Sequence, residues 1–418
     1  MKQPKIRLKG FTEEWNNFTL SQIATMHARI GWQNLRKDEF LSKGDYYLIT
    51  GTDFMDGAID YHTCHYVEED RYNQDKNIQL KEGSILITKD GTLGKVAYVE
   101  KIDKPATLNA GVFNVVCKGN DIDSRFLFQY LKSPRLMDYV NSTATGGTIK
   151  HLNQNILVNF PVSLPEIREQ RFIGAYFHHL DSLIQSTTKK IDSLKQVKAA
   201  SLQSMFPQEG ETTPRIRFKG FEGDWEKVLV GKLGTTYSGL SGKTKGDFGI
   251  GEARFVTFLN VLTNARIDTS SLEAVNVSDG EHQNEVKKGD LLFNTSSETP
   301  EEVGMCAVMD EDLTNVYLNS FCFGFRVTDE NIDSTFIAYL MRSHIGRLIM
   351  SILAQGATRY NLSKNSFCKA ELLLPKAKDE QQQIASYFTA LDSQISLHSQ
   401  RLEKLKQIKS ACLDNMFV

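Results

Sequence analysis

The sequence predicts an α+β protein. It reads as two similar mixed α/β domains separated by two long helices forming an antiparallel coiled coil, with a pseudo-two-fold internal repeat. Three observations carry this: a fixed-offset duplication, short strand-like runs bounded by glycine turns, and two long stretches without proline and almost without glycine. Ile6-Arg7-Leu8-Lys9-Gly10-Phe11 with Trp15 returns as Ile216-Arg217-Phe218-Lys219-Gly220-Phe221 with Trp225. Leu108-Asn109, Ile122-Asp123-Ser124 and Leu164-Pro165 recur at the same offset as Leu318-Asn319, Ile332-Asp333-Ser334 and Leu374-Pro375. One residue later in register, Tyr176-Phe177 and Leu180-Asp181 become Tyr387-Phe388 and Leu391-Asp392, and Met205-Phe206 becomes Met416-Phe417.

Each repeat opens with a strand-rich part, expected over 1–163 and 208–373. Tyr46–Ile49, Ser84–Thr88, Lys95–Val99 and Gly111–Val116 read as strands, as do Asp290–Phe293 and Gly304–Val308 in the copy. Turns such as Lys81-Glu82-Gly83 and Lys288-Gly289-Asp290 punctuate them. The spacing of Phe126, Leu127, Tyr130, Leu131 and Met137 predicts a helix over 124–141, copied at 334–353.

The remainder, 164–207 and 374–418, is expected to be helical spacer. Each stretch follows Leu-Pro, a natural helix entry. Ile173, Phe177, Leu180, Ile184, Ile191 and Leu194 step by alternating fours and threes, with Thr187 filling the gap. The copy runs Ile384, Phe388, Leu391, Ile395, Leu402 and Leu405, with His398 in the gap. This is an a/d heptad seam, and forty helical residues span about 60 Å. Pro207 to Pro214 forms a polar linker between the repeats.

At 418 residues, 40% hydrophobic and 24% charged, the chain has the composition of an ordinary globular protein. No apolar run reaches the roughly 18 residues of a membrane span, and no secretory signal is evident, so a cytoplasmic location is expected. The six cysteines form no C-x-x-C pair and sit mostly among apolar neighbours, as reduced thiols do. His62-Thr63-Cys64-His65 lacks a second ligand pair at zinc spacing, so no metal site is expected. Residues 1–165 carry 20 basic and 19 acidic residues, and residues 216–375 carry 16 and 21, giving +1 and −5. Neither balance announces nucleic-acid binding, which neutralises several phosphates.

Catalytic signatures are missing. Gly91-Thr92-Leu93-Gly94-Lys95 is followed by Val96 and has the wrong glycine spacing for a phosphate loop. There is no G-x-G-x-x-G, G-x-S-x-G or H-E-x-x-H, and Asn159-Phe160-Pro161-Val162 lacks the second proline of a methyltransferase tetrad. No catalytic residue is therefore assigned, although an unrecognised enzyme site around Cys64 and His65 is a rival reading. Two polar segments are candidates for DNA contact. The first is the hairpin Thr88–Lys95, where Lys89, Thr92 and Lys95 suit phosphates and base edges. Its copy, 294–305 with Asn294, Ser296 and Ser297, is four residues longer and acidic. The second carries Thr148, Lys150, His151 and Asn153, copied as Thr358, Arg359, Tyr360 and Asn361. There the arginine could engage guanine and the asparagines adenine. Trp15 and Trp225 are expected to be core anchors.

These features together resemble the specificity subunit of type I restriction-modification enzymes over essentially the whole chain. The resemblance rests on Arg7-Leu8-Lys9-Gly10-Phe11 with Trp15 and its repeat, and on the strand-hairpin from Ser84 to Gly94. Both Leu-Pro helix entries, carrying Glu169-Gln170 and Glu380-Gln381, add to it, as does the order of domain, helix, domain, helix. It implies two target recognition domains, each reading one half of a bipartite double-stranded DNA site. It implies helices that set the gap and dock two modification subunits, with restriction subunits completing the complex. No cofactor is then bound by this chain; S-adenosylmethionine, ATP and Mg belong to the partners. The alternative is a duplicated coiled-coil scaffold without DNA specificity.

Overall fold

The computed structural model describes residues 3–143, 151–278, 280–356 and 358–418. The chain divides into two compact units. Met1–Thr188 with Gln400–Val418 form one, and Lys189–Ser399 the other. Each long helix, Ile167–Ser204 and Lys378–Asn415, is thus shared: its first part belongs with its own repeat and its end with the other.

The first unit contains a four-stranded antiparallel sheet in the order Ala24–Ala28, Val112–Cys117, Ile85–Thr88, Val96–Tyr98. Phe113 pairs with Ile87, and Ile87 with Val96. Alternate side chains enter different cores. Ile85 and Ile87 join the core shared with the helices, and Leu86 joins a smaller one with Tyr47, Ile49, Ala106 and Leu108. Both faces are therefore covered, which is why these strands read as continuous apolar runs. The smaller core is roofed by a second sheet in which Tyr46–Ile49 pairs antiparallel with His65–Val67 and parallel with Ala106–Leu108. A ribbon of Asn16–Thr19 against Pro161–Leu164 closes the unit.

The second unit repeats this plan. Its four-stranded sheet runs Gly234–Ser238, Cys322–Val327, Leu291–Asn294, Cys306–Val308. Phe248–Val256 pairs antiparallel with Glu273–Val275 and parallel with Val316–Leu318, and Glu226–Leu229 pairs with Glu371–Leu374.

The helix expected over 124–141 is two helices, Ser124–Lys132 and Pro134–Thr143. Pro134 has no N–H to donate and disfavours helical backbone at Ser133. The copy breaks in the same place without proline, into Ser334–Arg342 and His344–Leu353, bent by 77°. There the Ser343 hydroxyl caps the second helix, accepting from Gly346 N at 3.3 Å and donating to Leu340 O at 2.6 Å. Gly346 lies so close that a Cβ would stand 2.0 Å from Leu340 O. Among the described residues no single helix is long and apolar enough to cross a membrane.

The opening echo has a structural purpose. Arg7 grips Glu169 with two hydrogen bonds of 2.8 Å, and Arg217 grips Glu380 at 2.7 and 2.8 Å, with both carboxylates buried. The adjacent glutamines tie each long-helix entry to the N-terminal cap of the helix Ser124–Lys132 or Ser334–Arg342. Gln170 Oε1 accepts from Asp123 N and its amide donates to Pro165 O, and Gln381 does the same with Asp333 and Pro375.

The closing echo is a core plug. In the first unit Phe417 stacks on Phe177 at 5.7 Å and meets Phe126 and Tyr130 edge-on. In the second, Phe206 stacks on Phe388 at 5.8 Å and packs on Trp225 and Phe336. The seam residues divide accordingly. Ile173, Phe177 and Leu180 lie in the first unit's core. Leu194, Ile384, Phe388 and Leu391 lie in the second's, with Ile395 packed against it. Ile191 is buried, Leu405 packs on the first core, and Ile184 and Leu402 are half-buried. The early turns of each seam thus serve as domain core. Asp181 pairs with Lys409 in one unit and Asp392 with Lys198 in the other.

Truncating the plug by Phe417→Ala should destabilise the first unit by about 3–5 kcal/mol, as loss of a buried phenyl does. Denaturant unfolding measures it, and a loss below about 1 kcal/mol would remove Phe417 from the core.

Candidate nucleic-acid interface

Strands Ile85–Thr88 and Val96–Tyr98 carry the hairpin 89–95. Thr88 shapes it, donating from Oγ1 to Thr92 O at 2.5 Å and accepting from Lys95 N at 2.9 Å. Gly94 takes a left-handed φ of +70° and donates to Thr88 O at 2.9 Å; a Cβ there would stand 2.2 Å from Met137 Sδ. Thr92 and Lys95 are exposed. Lys89 is half-buried, its ammonium 5.6 Å from the centre of the Phe113 ring.

The second segment comes to this hairpin. Leu152 N donates to Lys89 O at 2.8 Å, and His151 Nδ1 lies 2.6 Å from Asp90 Oδ1. Asn153 caps the short helix Gln154–Val158, which occupies its carboxamide oxygen. A third segment, 109–111, joins them: Lys89 N donates to Gly111 O at 2.9 Å. Thr148 and Lys150 lie outside the described residues.

The second unit repeats the main-chain frame. Thr295 N donates to Phe321 O at 3.0 Å, Leu362 N to Thr295 O at 2.8 Å, and Gly304 N to Asn294 O at 3.2 Å. Here the two candidate segments also form a ladder, Ser296 opposite Asn361 and Ser297 opposite Tyr360. Burial follows. Asn294, Ser296 and Ser297, expected as contact residues, are buried and turn inward. Asn294 Nδ2 donates to Glu302 O, and Ser297 Oγ to the Glu302 carboxylate. Asn294 and Ser297 hold the loop instead of presenting an edge. The extra ladder buries Ser296 and Ser297, Asn294 ends a central strand paired with Cys322, and no local pattern announced the ladder. Thr358, Arg359 and Asn361 are exposed, and Tyr360 packs partly on the core.

Sequence reasoning missed the residues that brace each loop. Arg347, on the second helix of the bent pair, donates to Glu301 O and Gly304 O at 3.1 Å and to Val303 O. Burial, with Arg342 nearby, holds its pKa down to about 10, so it stays cationic at neutral pH. Its counterpart at the repeat offset is Met137, which packs under Gly94. Sequence reasoning also passed over Gly111 and Phe321, although the Leu-Asn echo stops matching two residues before them.

At Cys64 burial pushes the thiol up to about 12, so it stays protonated at neutral pH and is a poor nucleophile.

The geometry defines a duplicated scaffold whose two sheet ends share a backbone frame and differ in side chains. The family model described as "Type I restriction modification DNA specificity domain" matches residues 12–196 and again 224–407, and the chain belongs to that family. It is 20% identical over 411 residues to the EcoKI specificity subunit of Escherichia coli K12, covering 94% of this chain and 87% of that protein. It is 25% identical over 199 residues to the MjaVIII specificity subunit of Methanocaldococcus jannaschii, spanning 46% of each. The fold matches a crystal structure of the type I restriction-modification S subunit from M. genitalium with a TM-score of 0.62 at 15% identity, covering 100% and 99% of the two chains. A chain from a structural study of type I R-M system assembly matches with a TM-score of 0.52 at 14% identity, covering 98% and 99%.

Replacing Arg347 by Met leaves three loop carbonyls without their donor. The expected result is a stability loss of about 1–3 kcal/mol, with faster amide exchange concentrated in 299–305. Unchanged exchange there would contradict the bracing role.

Proposed function

We propose that this chain is the sequence-specific DNA recognition subunit of a type I restriction-modification complex, each domain reading one half of a bipartite target. The observation that carries this reading is a frame repeated hydrogen bond by hydrogen bond beneath tips that differ. Lys95, Thr92, His151 and Asn153 in one tip, and Thr358, Arg359 and Asn361 in the other, are exposed polar groups available to phosphates and base edges. Glu298 and Glu301 make the second tip acidic, suited to accepting from cytosine N4 and unsuited to phosphate.

The long helices, as an antiparallel coiled coil with pseudo-two-fold character, set the gap between half-sites and dock two modification subunits. Methyl transfer from S-adenosylmethionine, and ATP- and Mg-dependent cleavage, fall to modification and restriction subunits in the cytoplasm. The weak charge balance of the chain fits partners that supply much of the phosphate contact.

Co-expression with the cognate modification subunit, followed by methylation sequencing of the host genome, tests this. The expected product is one asymmetric bipartite motif with a fixed gap. Methylation without sequence preference, or none, would favour a duplicated scaffold instead.

A further inference from the structure

The equivalent backbone positions Gly111 and Phe321 carry opposite side chains at the candidate interface. Both lie within the turn that follows the parallel strand, and both offer their carbonyl to the loop, to Lys89 N in one unit and Thr295 N in the other. Phe321 is held further, its N–H donating to Asn319 Oδ1 at 2.8 Å and its carbonyl accepting from Thr295 Oγ1 at 2.5 Å. The phenyl on this fixed backbone is 57% exposed. Glycine in the first repeat shows that the fold does not require a side chain here.

A second apolar group issues from the neighbouring strand end. Asn319 N donates to Val256 O at 3.0 Å, and Leu259, three residues past Val256, is 63% exposed. In the first unit Asn109 N donates to Ile49 O in the same way, and the residue three past Ile49 is the exposed Thr52. The second repeat therefore has Phe and Leu where the first has Gly and Thr. Scattered exposed apolar residues need no explanation. Two of them, both replacing small or polar counterparts at adjoining strand ends beside the reading loops, do.

Resting on the DNA-recognition reading above, we propose that Phe321, assisted by Leu259, is a specificity-determining residue that packs on the 5-methyl group of a thymine in the half-site read by the second repeat. The major-groove edge of a base pair is polar except for that methyl, and it is the base feature that a phenyl recognises. The rigid turn presents the ring with little ordering left to do on binding.

The test uses the full chain assembled with its modification subunits and duplexes carrying the motif found for the wild type. Each thymine of the second half-site is replaced in turn by deoxyuridine, which removes only the methyl. One replacement should weaken wild-type binding by about fourfold, the worth of one buried methyl. Phe321→Ala and Phe321→Gly should weaken binding to the thymine duplex by at least as much and be indifferent to that uracil. Deoxyuridine in the first half-site should act on variant and wild type alike, which separates a local role from a folding defect. A second half-site without thymine, wild-type indifference to every uracil, or full affinity of Phe321→Ala would each overturn the assignment. A wild-type complex with no sequence-selective motif would instead remove the reading on which it rests.

Discussion

Three main-chain hydrogen bonds at the end of each four-stranded sheet hold the candidate interface together. In the first repeat they join Lys89 N to Gly111 O, Leu152 N to Lys89 O, and Gly94 N to Thr88 O. In the second they join Thr295 N to Phe321 O, Leu362 N to Thr295 O, and Gly304 N to Asn294 O. Because backbone groups carry the geometry, the side chains there are free to change without loss of the frame. A buried peptide group left unpaired would cost more than most surface substitutions, so folding holds the frame in both copies while the side chains at the tips can differ.

The frame is anchored from below by residues that the repeat keeps. The buried Glu169 and Glu380 are each gripped by an arginine from the opening segment of its repeat, and the neighbouring glutamines join each long-helix entry to the cap of a shorter helix. Removing one partner from such a buried pair leaves an uncompensated charge, which accounts for both partners persisting in both copies. The Phe206 and Phe417 plugs complete each unit with the end of a long helix. Stability of each domain thus depends on residues distant in sequence.

Much of the fold was legible because periodicity and duplication reinforce each other. The sheet strands stood out as apolar runs since both faces of the sheet are buried. The long helices stood out through the absence of breakers. What escaped was set by tertiary context. The 124–141 helix breaks at Ser133–Pro134, and the copy breaks identically at Ser343 by a hydroxyl cap with no proline to warn of it. The heptad seam looked uniform, yet Ile173, Phe177 and Leu180 serve as domain core, because a helix face does not disclose which apolar surface covers it. The two candidate segments of each unit do meet, but Ser296 and Ser297 are drawn inward by a ladder formed with residues some sixty positions away, and Asn294 is buried as the end of a central strand paired with Cys322. The bracing pair Met137 and Arg347 shares no chemistry, so no echo marked it.

If a common frame carries two different readers, their difference alone makes the target asymmetric. The most direct measurement is methylation sequencing with a chimera in which residues 216–373 are replaced by a second copy of 6–163, co-expressed with the cognate modification subunit. The expected product is a bipartite motif whose two halves are the same, both equal to one half of the wild-type motif. An unchanged asymmetric motif would contradict it.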